Sequence, residues 1–251
     1  LGIPFQGLTS AGRPVYTKQE NPRINVESCE FSDNSAHIGG AFFSKPHARF
    51  HIRKSTFRNN IGIYQGGVFY AGTHQGLYGQ TITVLETQLF AEDCVFVGNS
   101  APYGGIGYLA GFDTGSVVSD STFLSNTATY KGGLFFSSGQ LHITGITAIN
   151  STVTTADSLV ANDAGQGGAF FIADGLLSLE NSRITGSKVS GRGGAIYTRP
   201  GTNLFVSKSS FESNVASDGS AIFNKGAMRI GSSIFVSNFI RPSTLKANVF
   251  L

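Results

Sequence analysis

Apolar residues in this chain come in short bursts that alternate with polar ones, and the bursts recur. Phe-x-x-Asn, followed five or six residues later by Gly-Gly and an apolar run ending in an aromatic, spans Phe31 to Phe43, Phe57 to Tyr70, Phe96 to Tyr108, Phe123 to Phe136 and Phe211 to Phe223. Aligned on the Phe, eight repeats give the column Phe31, Phe57, Phe96, Phe123, Ala148, Ile184, Phe211 and Phe235. Seven and five residues earlier stand mostly apolar columns, Ile24 to Met228 and Val26 to Ile230. That spacing is period two, which predicts strands with one buried face. Self-similarity at a few tens of residues means a solenoid, in which each repeat is one coil that cannot bury its apolar face alone.

Two more columns frame the Phe. Two residues before it the chain is small almost throughout (Cys29, Ser55, Cys94, Ser121, then Ser182, Ser209, Ser233), as a narrow lumen requires. Coil five breaks the pattern with Ile146 beside Ala148, a swap that conserves core volume. Three residues after the Phe stand Asn34, Asn60, Asn99, Asn126, Ser151, Ser187, Asn214 and Asn238. Asn tolerates left-handed backbone and its amide bonds both up and down a stack, so the column predicts a tight corner repeated in register. The Gly pairs, from Gly39-Gly40 to Gly193-Gly194 and then Gly219-Ser220, open the next strand.

A leucine-rich repeat also fits Val26-x-x-Cys29-x-Phe31-x-x-Asn34, but the second half of each coil reads like Gly-Gly-Leu134-Phe135-Phe136, which is strand chemistry. The fold expected is therefore all-β, a parallel β-helix of about eight coils stacked at about 4.8 Å. Residues 24–240 form it, with insertions near 72–88, able to make a small hairpin, and near 152–166. Residues 1–23 are expected to be an N-terminal cap or the remnant of a preceding coil, and 241–251 a C-terminal edge that continues further.

Phe31-Ser-Asp-Asn34 with Gly39-Gly40-Ala41-Phe42, Phe57-Arg-Asn-Asn60, Phe123-Leu-Ser-Asn126, Gly193-Gly194-Ala195-Ile196-Tyr197 and Phe211-Glu-Ser-Asn214 resemble the repeats of the chlamydial polymorphic membrane proteins. The resemblance covers roughly residues 24–240. It implies a right-handed β-helix of the pectate-lyase-like kind, displayed outside the cell or on its surface as the passenger of an adhesin.

Charge narrows the partners. Only 13% of residues are charged, with 18 Lys and Arg against 15 Asp and Glu and no long runs, which argues against nucleic acid or an anionic membrane surface. No stretch has the roughly 18–20 uninterrupted apolar residues of a membrane helix. The expected role is structural or adhesive and not enzymatic, with a protein or glycan partner, or neighbouring subunits of an assembly.

Candidate site residues follow from register. Four residues after the first Gly stand Phe43, Tyr70, Tyr108, Phe136, Phe171, Tyr197 and Phe223, and one residue earlier Phe42, Phe69, Gly107, Phe135, Phe170, Ile196 and Ile222. One column must face outward. Phenol tips prefer water, so the Phe/Tyr column is expected outside as an aromatic stripe for sugar rings or a protein surface; the alternative is that it is internal or covered by a loop. Glu27, Arg53 and Glu92 share an outward column, and Asp93 and Asp120 fall one coil apart. Two carboxylates that close either splay into solvent, near Lys54, or hold Ca²⁺ between them, and no other cofactor is expected. A carbohydrate-active enzyme using Glu92, Asp93 and Asp120 is the alternative function. The five His residues pair with no acid at a catalytic spacing. Cys29 and Cys94, two coils apart, are too distant to bridge and are expected to be buried free thiols. Asn150-Ser-Thr152 is a candidate N-glycan acceptor.

Overall fold

The computed structural model describes residues 5–8, 14–16, 23–44, 48–72, 87–110, 115–154 and 165–240. Among them there is no helix, and strands stack in parallel into three sheets that run the length of a β-helix, preceded by an antiparallel pair, Phe5–Leu8 with Pro14–Tyr16. Both predicted insertions, and the expected hairpin at Leu77 to Leu85, lie largely outside the described residues. The first follows a strand that ends at Gly72, and the second follows a strand of a different sheet that ends at Val153.

One coil can be followed from Arg49–Arg53 in sheet I, through Thr56–Arg58 in sheet II and Ile61–Gln65 in sheet III, to Phe69–Gly72, back on sheet I. In the middle of the rod the last and first segments fuse into single long strands, Phe135–Thr144 and Phe170–Glu180. A regular second strand row after each Gly pair excludes the leucine-rich repeat. The sequence columns are the observed register: Phe31 pairs with Phe57, Phe57 with Phe96, Phe96 with Phe123, and Phe123 with Ala148. Their rings stack face to face, 5.3, 4.9 and 5.0 Å apart for the first three steps, and Phe57, Phe96, Phe123 and Phe211 are fully buried. Coil five makes the expected swap, with Ile146 and Ala148 both in the core.

Sheet II strands are three residues long, so the chain must turn sharply on both sides of each Phe. Left-handed backbone makes the turn three residues before it (Lys54, Asp93, Asp120, Lys208) and two residues after it (Asp33, Asn59, Ser125, Ser213). The Asn column is therefore not itself left-handed; it follows the left-handed residue and points inward. The turning residues keep backbone bonds to the next coil, as Lys54 N–H does to Glu92 O and Asn59 N–H to Val97 O, but buried peptide groups just inside them lose their ladder partners and must be satisfied otherwise. Side chains do this at both corners. Asn99 accepts at Oδ1 from the Asn60 N–H (2.9 Å) and the Asn60 amide (3.0 Å). Its own Nδ2 donates to Asn126 Oδ1 and to Phe57 O, both at 3.0 Å.

At the other corner Ser55 Oγ donates to Arg53 O (2.7 Å) and accepts from the Cys29 N–H (3.2 Å). Ser121, Ser182, Ser209 and Ser233 repeat the pattern. The smallness of this column is thus a hydrogen-bonding requirement as well as a steric one.

The Gly pair answers to two constraints. Gly66 has φ +63°, and a Cβ on Gly67 would lie 2.0 Å from Gly105 O in the next coil. Neither position admits a side chain without moving backbone. At this corner the lumen is narrow, and the inward residues of sheet III are small: Ala128, Val153, Val189 and Ala216.

The amide ladder is interrupted at coils five and six, where Ser151 and Ser187 are buried and neither Oγ has a partner. Asn99→Ala, which strands donors and a carbonyl on two neighbouring coils, should cost about 3 kcal/mol. Ser187→Asn, which extends the ladder from Asn214, should gain about 1 kcal/mol. Urea denaturation of both variants checks the pair, and a loss of stability in Ser187→Asn would show that the slot does not accept an amide.

Candidate functional site

Alternation after the Gly pair sends Phe69, Phe135, Phe170 and Ile196 into the main core, and Tyr70, Phe171 and Tyr197 to the opposite side of the sheet. The seven aromatics form one continuous stack. Phe43, Tyr70, Tyr108, Phe136, Phe171, Tyr197 and Phe223 follow one another at 5.5, 5.4, 4.6, 5.0, 5.3 and 5.5 Å, with planes within 23° of parallel. The stripe is nevertheless not open to solvent, which corrects the sequence expectation. Tyr70, Phe171 and Tyr197 are 2%, 0% and 3% exposed, Tyr108, Phe136 and Phe223 are half-buried, and Phe43 alone is exposed.

What covers the rings follows from the fold. The left-handed Gly bends the chain so that the residue just before each pair lies over the ring one coil further on. Tyr103 meets Phe136 edge-on at 6.1 Å, Lys131 Nζ sits 5.0 Å from the Phe171 centroid, and Arg192 Cζ 5.2 Å from that of Phe223. From the other wall, Arg199 reaches back to Phe171 (5.5 Å) and Lys225 to Tyr197 and Phe223 (5.9 Å each). Burial, and then the neighbouring Tyr108, pushes the Tyr70 phenol up to about 12. Tyr108 is raised by burial, then by Tyr103.

Exposed aromatics gather elsewhere, along sheet III and the Gly corner of the first four coils. Tyr64 and Tyr130 are exposed there together with Ile61 and Ile63; His37 stacks on Tyr64 at 5.7 Å, and Tyr103 lies 5.4 Å from Tyr130. The sequence reading did not select Tyr64 or Tyr130. A signal existed: the step from Asn to the Gly pair is six residues at Asn60–Gly66 and Asn126–Gly132 but five at Asn34–Gly39 and Asn99–Gly104, and the extra residue becomes a register shift that turns Ile63 and Tyr64 both outward.

The acidic candidates are dispersed. Glu27, Arg53 and Glu92 do share a column, and Arg53 pairs with Glu92 at 3.0 Å. Asp93 and Asp120 occupy successive left-handed corners, but Asp120 leans over Gly145 of the following coil, where a Cβ would lie 2.3 Å from its Oδ1. Its carboxylate thus points away from Asp93. Among the described residues no three His, Cys, Asp or Glu side chains converge as a metal site. Asp120 instead lines a shallow groove of about 400 Å³ with Arg183 and Lys208, which pair with Glu212 (2.6 Å) and Glu180 (3.1 Å).

Both thiols are free, with Ser55 between them in the column, and burial raises the Cys94 thiol. Cys29 is exposed, against expectation, because it stands in the first coil with no described coil beneath it. His51 stacks on Phe90 at 4.8 Å; His47 and His74 lie outside the described residues. Asn150 sits exposed at a left-handed corner (φ +56°) with its amide over Gly186.

Comparison of the chain with protein-family models, curated proteins and solved structures gives no match.

Because the folded state holds the Tyr70 proton more tightly than the unfolded chain does, its contribution to stability is complete below about pH 10. It is lost as pH rises through about 12. Phenolate absorbance should therefore show a tyrosine that ionises only near pH 12 and is missing in Tyr70→Phe, and Tyr70→Phe should flatten the alkaline fall in stability; a Tyr70 that titrates like free tyrosine would place the ring in water.

Proposed function

We propose that this chain is a non-catalytic binding module, a β-helical rod displayed outside the cell that holds a protein or glycan partner against the aromatic edge of its first four coils. One observation carries the reading. Before the last coil, the exposed large apolar side chains among the described residues are Phe43, Ile61, Ile63, Tyr64, Tyr130 and Phe205, and Ile61, Ile63, Tyr64 and Tyr130 all lie on this edge. Apolar side chains clustered in this way mark contact surfaces, whereas scattered single ones need no explanation. Phenol rings suit the task, since each offers an apolar face for a sugar or side chain and a hydroxyl for a hydrogen bond. The rod supplies rigidity: the edge is built on strands locked by stacked rings below and ladders alongside, so little order has to be gained on binding. The Phe-x-x-Asn and Gly-Gly-Ala repeats, which resemble those of surface adhesins, support display outside the cell.

A carbohydrate-active enzyme is the second reading, favoured by Asp120 sharing its groove with Arg183 and Lys208. Both of those cations are engaged with Glu side chains, which leaves Asp120 without an evident basic partner for catalysis.

Glycan-array and cell-binding measurements test the proposal with Tyr64→Ala/Tyr130→Ala. The double variant should bind at least tenfold more weakly at an unchanged melting temperature, because both side chains are solvent-exposed. Unaltered binding would refute the assigned edge. Turnover of an acidic polysaccharide with Ca²⁺ that disappears in Asp120→Asn would replace the binding module with the enzyme.

A further inference from the structure

From Lys131, next to Tyr130 at the end of the aromatic edge, to the seventh coil the rod carries a different surface. Lys131, Gln166 and Arg192 occupy one column, bridged coil to coil immediately before successive Gly pairs, and Asp218 continues it. Arg199 and Lys225 form the facing wall. Beneath the cations run Phe171, Tyr197 and Phe223, the first two buried and the third half-buried, and the four cations lie 5.0 to 5.9 Å from the centroids of these rings. A chain with a net charge of only +3 thus gathers Arg192, Arg199 and Lys225 over neighbouring coils, with Asp218 the carboxylate in the column before the Gly pairs. That carboxylate, Asp218, engages Arg192 Nε at 3.2 Å. Arg199 and Lys225 are exposed and make no ion pair with a described residue. Contact with a ring face leaves their N–H groups available.

An independent feature lies in the same groove. Gln166 is 3% exposed, and its Oε1 has no hydrogen-bond partner among the described residues. Buried polar atoms are almost always paired, so an orphan acceptor between two cation-bearing positions offers itself to a ligand hydroxyl.

We propose that this groove binds a saccharide bearing a sulfate or phosphate ester. The ester oxygens meet Arg199, Lys225 and the free Nη groups of Arg192, and a sugar hydroxyl donates to Gln166 Oε1. Cations on two opposed walls fit a tetrahedral ester, whose oxygens point in several directions; a planar carboxylate is better matched by the fork of one Arg. The aromatic floor keeps water from one side of the site and strengthens the charge interactions.

Binding of dextran sulfate oligosaccharide, dextran phosphate and plain dextran to the whole chain, read by calorimetry, tests the assignment. At least one ester should bind, and whichever binds names the source; plain dextran should not. Arg199→Ala/Lys225→Ala should weaken ester binding at least tenfold and flatten its salt dependence. Arg23→Ala/Arg229→Ala removes the same net charge at exposed positions elsewhere and should leave binding within twofold. Gln166→Leu should lower affinity without altering the salt dependence. Equal binding of plain dextran, equal losses in the two charge-removing variants, or no binding of either ester would overturn the site. Tyr64→Ala/Tyr130→Ala should retain ester binding, so failure of this proposal and failure of the aromatic-edge proposal are distinguishable.

Discussion

The structure depends on closing two sharp corners around a three-residue strand. A coil this narrow cannot turn within right-handed or extended backbone, so each Phe is flanked by left-handed residues, such as Lys54 and Asn59 around Phe57. The peptide groups just inside those residues lose their regular partners in a lumen packed with apolar side chains. Ser hydroxyls on one side and Asn amides on the other replace those partners, and each reaches across to a neighbouring coil. The bonds that close a corner are therefore the same bonds that hold coil to coil. Register follows directly: a coil displaced by one residue would remove the Phe ring, the hydroxyl and the amide from their columns together.

This coupling also explains the outer aromatic column. The Gly pair is compelled by a left-handed turn and by backbone packed within a Cβ's reach in the next coil, as at Gly66 and Gly67. The bend it makes lays Tyr103, Lys131 and Arg192 across rings one coil further along. A column that alternation turns outward is thereby roofed by its own chain. Its phenols are desolvated although they lie outside the lumen, and Tyr70 holds its proton to about 12.

Much of this was legible in the sequence because stacking writes the same residue at the same place in coil after coil. The Phe, Ser and Asn columns, the Ile146/Ala148 exchange and the Gly pairs all stand where the repeat places them. The left-handed positions were harder to see. Asp33, Asn59, Gly98, Ser125 and Asn150 share a backbone conformation but no single residue type, whereas the adjacent column is Asn in six of eight coils because its amide is used. Roofing of the aromatic column was illegible for another reason. It depends on a residue more than 30 positions from the ring it covers, as with Lys131 and Phe171, and on the sense of the bend, which period-two alternation does not encode. Tyr64 escaped because the register shift before the Gly pair turns two consecutive residues outward.

Inner and outer columns are consequently under different rules. An inner position must match the coils above and below it in volume and in hydrogen bonds, so substitutions there are confined to compensated exchanges or to gaps such as Ser151 and Ser187. An outer position answers only to its neighbour across a corner, and it can change character along the rod without disturbing register. The column before the Gly pair does so: it is Ile38, Gln65 and Tyr103 in the first coils and Lys131, Gln166 and Arg192 further on, over an aromatic stack that continues beneath all of them. One scaffold thus presents an apolar, phenol-bearing edge at one end and a cation-walled groove at the other. The two surfaces differ in chemistry because only the roof has changed.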